Sequence, residues 1–163
     1  MTTSTRAQFD SPLLADEPAP VRFTFYAQVD DSLYQTADTW NLPPVITAIS
    51  AADSLPIPSG PPPDYTLDHL TATVEDPNSL DDIRSVSFTV LKPDSTLSNN
   101  GQPFYMADNG EDFYGDAVAG DGIYSLIIEL DNSTAAGAYV YRFTAEDFSG
   151  AVSDTVKHTV VLY

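Results

Sequence analysis

The sequence predicts an all-β chain: an antiparallel β-sandwich of about seven short strands, preceded by an N-terminal extension with one further strand. Three observations predict it. Apolar and polar residues alternate over many short stretches, the period of a half-buried strand. The stretches are separated by Pro, Gly, Asn and Asp, and prolines alone number 13. No run keeps helical spacing of its apolar residues beyond about two turns. With 163 residues, of which 42% are hydrophobic, the chain has material for one full domain plus an extension, or two very small domains.

Residues 1–20 are polar and carry Pro12, Pro18 and Pro20, the composition of an extended arm. In residues 21–29, Val21, Phe23, Phe25, Ala27 and Val29 alternate and share one face of a strand, which needs something to bury it. Residues 33–40 are ambiguous, with Trp40, the single tryptophan, as the expected anchor of the join. Asn41-Leu42-Pro43-Pro44 is the clearest boundary, dividing the chain into 1–43 (arm and extra strand) and 44–163 (the sandwich).

Residues 45–49 form a short strand. Residues 54–65 hold five prolines, which suits an edge strand and a loop. Leu70, Ala72 and Val74 face inward on the next strand; Val86, Phe88 and Val90 do so on residues 83–91. Asn99-Asn100-Gly101 is a turn, and Phe104-Tyr105-Met106 a short strand. Tyr124, Leu126, Ile128 and Leu130 then share a face, as do Tyr139, Tyr141, Phe143 and Ala145, and Val156, His158, Val160 and Leu162.

The chain carries 24 Asp and Glu against 6 Lys and Arg, a net charge of -18. Such a surface repels nucleic acid and anionic lipid, which excludes both as partners. The acids are spread along the chain, the distribution of a salt-adapted, halophilic surface, and only the cluster at 108–121 is dense enough for a discrete site. No cysteine is present, so disulfides and thiolate sites are excluded. No stretch reaches the length of a membrane-crossing helix, so membrane insertion is not expected. Residues 1–14 have no apolar core of signal-peptide length: either the chain begins here or a leader is absent from this sequence.

Four segments carry a family resemblance: PPVITAI (43–49), VEDPNSLDDIRSVSFTVLKPD (74–94), DNGEDFYGDAVAGDGIYSL (108–126) and GAYVYRFTAEDFSG (137–150). In order and spacing they resemble bacterial immunoglobulin-like or fibronectin type III-like modules, over about three quarters of the chain. The third looks like the acidic Asp-Gly, Gly-Asp, Ala-Gly-Asp-Gly-x-Tyr loop of secreted bacterial modules, with Asn109 where a second acid stands in that pattern. The resemblance implies an immunoglobulin-like β-sandwich at the cell surface or in the extracellular space. It implies no single function, because such sandwiches act as spacers, adhesins, carbohydrate binders and filament subunits.

The acidic loop is the leading candidate site. Calcium takes six to eight oxygens, and a glycine-bent loop can supply them from Asp108, Asp112, Asp116 and Asp121, with Glu111 as a weaker fifth. The spacing is not that of an EF-hand, since Phe113 stands where its glycine belongs and Ala119 where its glutamate belongs. The alternative is a structural clip, in which the carboxylates accept backbone N–H groups and the glycines supply positive φ. One of Tyr139 and Tyr141 is expected to make a tyrosine-corner hydrogen bond. His69 and His158 are a conceivable metal pair, but read more simply as ordinary strand residues, and Asp81 and Asp82 as a carboxylate pair of the kind chance supplies in so acidic a chain.

No catalytic motif stands out. The expected function is a non-catalytic extracellular structural or adhesive module of a bacterial surface or secreted assembly. One alternative is a self-assembling subunit of a surface filament or virion appendage, joined by strand addition through Val21, Phe23, Phe25, Ala27 and Val29. Another is a carbohydrate-binding module, for which Tyr26, Tyr34 and Trp40 are the aromatic candidates. A small hydrolase ranks last.

Overall fold

The structure, a computed structural model, describes residues 40–163 in full and the backbone of residues 6–10, 22–29 and 32–39. The chain divides into two compact units, Met1–Pro43 and Pro44–Tyr163.

The N-terminal unit contains β1 (Arg6–Asp10), β2 (Arg22–Val29) and β3 (Ser32–Trp40), an antiparallel sheet in the order β1-β2-β3. The expectation of one strand here is corrected to three. Only β2 has strong alternation. β3, SLYQTADTW, is polar enough that its period is invisible in sequence, and backbone pairing with β2 reveals it. β2 has β3 along one edge and, over Arg22–Tyr26, β1 along the other. Val21 lies outside the described residues, as do the side chains of Phe23, Phe25, Ala27, Val29, Tyr26 and Tyr34.

The C-terminal unit contains β4 (Val45–Ser50), β5 (Ser54–Leu55), β6 (Thr66–Glu75), β7 (Ile83–Leu91), β8 (Phe104–Tyr105), β9 (Ile123–Leu130), β10 (Gly137–Asp147) and β11 (Val156–Leu162). They form two sheets, β4-β6-β9 and β5-β11-β10-β7-β8. All pairs are antiparallel except β5 with β11. This is an immunoglobulin-like β-sandwich: of its six long strands, the first, second and fourth share one sheet, the third, fifth and sixth the other.

The alternation seen in sequence becomes the core. Leu70, Ala72 and Val74 of β6 face Val86, Phe88 and Val90 of β7 and Tyr141, Phe143 and Ala145 of β10, all buried. Phe88 sits at the centre of the aromatic packing, its ring 5.0 Å from Phe143, 5.4 Å from Phe104 and 5.5 Å from Tyr141. The Tyr139 hydroxyl donates to the Ala135 carbonyl at 2.8 Å, just upstream at the turn into β10, which is the expected tyrosine corner.

Not every acid is on the surface. Asp68 follows the inward register of Leu70 and Ala72 and is 1% exposed. It accepts from the Tyr141 hydroxyl at 3.2 Å and from the Ala52 N–H at 3.5 Å. Burial raises its pKa above the ordinary carboxylate value, against the lowering effects of these donors and of His158 and His69. A raised carboxyl pKa favours the fold most in acid, and that contribution is lost as pH climbs through the folded value. Asp68→Asn keeps an acceptor for Tyr141 without the buried charge. The variant is expected to melt higher than wild type at pH 7, with the gap closing below about pH 4. Melting curves across that range check this.

Candidate functional site

The acidic loop leaves β8 and returns into β9, and Ala107 and Ser125 close its base through two backbone hydrogen bonds of 3.0 and 2.8 Å. Between them the carboxylates organise the backbone. Asp108 accepts from three successive N–H groups: Gly120 at 2.6 Å and Asp121 at 3.3 Å through Oδ1, and Gly122 at 2.9 Å through Oδ2. Consecutive N–H groups of this kind form an anion nest, occupied here by the chain's own side chain. Asp116, 3% exposed, accepts from Gly110 N–H at 2.6 Å, and Asp121 accepts from Ile123 N–H at 2.9 Å. Asn109 accepts from Glu111 N–H at 3.0 Å.

The loop lies over the outer face of its neighbours instead of projecting away. A β-carbon on Gly115 would stand 3.1 Å from the Ile127 side chain; one on Gly122 would stand 2.9 Å from the Val74 carbonyl, and both glycines have positive φ. The Val74 N–H also donates to the Gly122 carbonyl at 2.8 Å. This cover explains why Ser125 is buried although it points away from the core of the sandwich. Beneath the loop, burial and the nearby Asp108 charge push the Tyr124 hydroxyl up to about 12.

Three of the four candidate ligands converge. Asp108, Asp116 and Asp121 each place a carboxylate oxygen within 4.8 Å of the others. Asp112 is exposed and stands outside that group. The triad has the donor chemistry for a divalent cation, yet all three of its members already accept backbone N–H groups. The geometry is that of the clip.

A second convergence was not legible in sequence. Asp76, Asp82 and Asp147 also bring carboxylate oxygens within 4.8 Å. They come from the two connections β6–β7 and β10–β11, joined by the Phe148 N–H donating to the Asp82 carbonyl at 2.9 Å. Asp76 accepts from Asn78 N–H at 2.7 Å, and Asp147, fully buried, from Ala151 N–H and the Ser149 hydroxyl, both at 2.8 Å. In sequence these are ordinary turn acids, with Asp147 far from the other two; only the sandwich places the two turns side by side. Burial and the charges of Asp147 and Asp76 raise the Asp82 pKa. Asp82 is thus grouped with these acids, not paired with Asp81.

The histidines are separated by the sheet they serve. His69 is exposed on the outer face of β6, while His158 turns inward on β11, with its Nε2 3.1 Å from the Ala52 carbonyl oxygen. Trp40 is half-exposed at the end of β3. Sequence reasoning missed the exposed aromatics of the sandwich: Tyr105, Phe113, Phe148 and Tyr163 are each more than 60% exposed. Tyr105 and Phe113 adjoin apolar or acidic runs in sequence, which hides their exposure.

No family model matches the chain, and no curated protein matches it. Among solved structures, it is similar to the PKD domain of an M14-like peptidase from a Thermoplasmatales archaeon, with a TM-score of 0.42 and 20% identity over 75% of this chain and 97% of that one. It is also similar to the fibronectin(III)-like modules of Clostridium thermocellum CbhA, with a TM-score of 0.40 and 15% identity over 88% of this chain and 62% of that one. The chain thus spans less than two thirds of the second structure. The assignment to the immunoglobulin-like sandwich rests on strand order and pairing.

Proposed function

We propose that this chain is a non-catalytic structural module of a surface or secreted assembly, a spacer that resists tension. The carrying observation is the parallel pairing of β5, near the start of the C-terminal unit, with β11 at its end. The pair is held by Val161 N–H to the Asp53 carbonyl at 2.9 Å, Tyr163 N–H to Leu55 at 3.1 Å and Ile57 N–H to Tyr163 at 2.7 Å. Tension between the ends of the unit loads these bonds together, in shear, instead of one after another. The loop clip serves the same end by fastening the longest connection of the sandwich onto the sheet.

Single-molecule extension through the two ends of the full chain tests this. Val161→Pro removes one N–H donor of the pair and places a proline in a strand paired on both sides, with a thermal cost of about 3 kcal/mol. The unfolding force is expected to fall clearly below that of Leu126→Ala, a core truncation of similar cost, about 3 kcal/mol, away from the pair. Equal forces for the two variants would remove the tension-bearing role.

The calcium proposal uses the same triad, Asp108, Asp116 and Asp121. With the clip as the resting arrangement, millimolar calcium against EDTA is expected to shift the melting temperature of Asp121→Asn as it does that of wild type. A rise that EDTA reverses and Asp121→Asn abolishes would put a bound ion in place of the clip.

A further inference from the structure

The group Asp76, Asp82 and Asp147 differs from the acidic loop in one respect: its carboxylates are not all used by the fold. In the loop, each of the three acids accepts backbone N–H groups. At the end of the sandwich, Asp76 accepts from Asn78 N–H at 2.7 Å and Ser79 N–H at 3.4 Å through Oδ1, while its Oδ2 is buried with no hydrogen-bond partner. The Asp82 carboxylate accepts no hydrogen bond among the described residues. Among those residues, no Lys, Arg or His pairs with either acid. The third member, Asp147, is 0% exposed.

Three carboxylates with oxygens within 4.8 Å of one another repel. On mobile side chains they would turn apart into water, and here the backbone prevents it. Asp76 and Asp147 are each fixed through Oδ1 by the turn they begin. Asp82 ends the short turn Leu80–Asp82, which Ser79 caps by accepting from Asp81 N–H at 3.1 Å. The Phe148 N–H then ties the two connections together at the Asp82 carbonyl. A buried carboxylate oxygen without a donor costs the fold its desolvation with nothing in return. Acids held together at that cost make a cation site that is assembled before the cation arrives.

We propose that Asp76, Asp82 and Asp147 bind a calcium ion, which takes Asp76 Oδ2 and the Asp82 carboxylate among its ligands and fastens the β6–β7 connection to the β10–β11 connection. The donor set selects the metal class. All three side chains offer oxygen, the chain has no cysteine, and neither histidine belongs to the group, so the thiolate and imidazole ligands that favour zinc or copper are missing. Magnesium demands a strict octahedron and keeps much of its water, whereas calcium accepts an irregular set of carboxylates completed by water. The proposal is independent of the tension-bearing role and of the loop triad.

The test is calorimetric titration of the full chain, stripped with EDTA and dialysed free of it, with CaCl₂ and with MgCl₂. One calcium per chain is expected to bind, and magnesium about 10-fold or more weakly. Asp82→Asn is the decisive variant, because this side chain holds no turn. It is expected to weaken calcium binding about 10- to 100-fold. In EDTA it is expected to melt no lower than wild type, since it relieves the repulsion, and calcium is expected to raise the melting temperature of wild type more than that of the variant. Asp121→Asn, in the loop, is expected to bind calcium as wild type does. No calcium binding, equal binding of magnesium, or wild-type affinity in Asp82→Asn would overturn the proposal. So would an Asp82→Asn protein that melts below wild type equally with and without calcium, or loss of calcium binding in Asp121→Asn, which would move the ion to the loop.

Discussion

Asp108→Ala is expected to cost about 4 kcal/mol, the summed worth of its charge-assisted hydrogen bonds less what water restores at a partly exposed loop. Its carboxylate gathers the N–H groups of Gly120, Asp121 and Gly122 into one nest. Without it three donors lose their acceptor at once, and the loop loses the tie between its two ends. Asp108→Asn is expected to cost about half as much, because the amide keeps one acceptor oxygen and turns a donor toward a donor. Chemical unfolding of the two variants checks the order. An unchanged slope against denaturant would locate the effect in the folded state. If both variants unfold as wild type does, the carboxylate is not holding the loop.

Gly122→Ala is expected to cost about 3 kcal/mol, although it adds only a methyl group. Two separate constraints meet at this residue. Its φ is +82°, where a β-carbon is strained, and that carbon would stand 2.9 Å from the Val74 carbonyl oxygen, a backbone atom of a central strand that cannot swing aside. Gly120 supplies the control. Its φ is +74°, but nothing lies within 4 Å of its β-carbon position, so Gly120→Ala is expected to cost only the conformational part, about 1 kcal/mol. Near-equal losses at the two glycines would mean that the loop does not press on β6. Because Gly122 also donates to Asp108, Gly122→Ala and Asp108→Ala are expected to sum to less than their separate costs when combined.

The strands of the sandwich were legible because their side-chain period is local. Leu70-Ala72-Val74, Val86-Phe88-Val90 and Tyr141-Phe143-Ala145 are spaced at two residues whatever they pack against, and Pro, Gly and Asx residues mark their ends. The composition of the acidic loop likewise announced Asx and glycine turns. Sequence alone therefore determined an all-β chain, the inward residues and the candidate acids. It could not say which acids meet. Asp112 and Asp116 are the same residue type in the same loop, but only Asp116 turns beneath the loop onto Gly110. Asp76 and Asp147, 71 positions apart in sequence, come together because two turns share one end of the sandwich. The weak strand β3 emerged from pairing with β2. Periodicity is a property of neighbours along the chain, whereas convergence and burial of a charge depend on which strands lie side by side, and that only the tertiary structure decided.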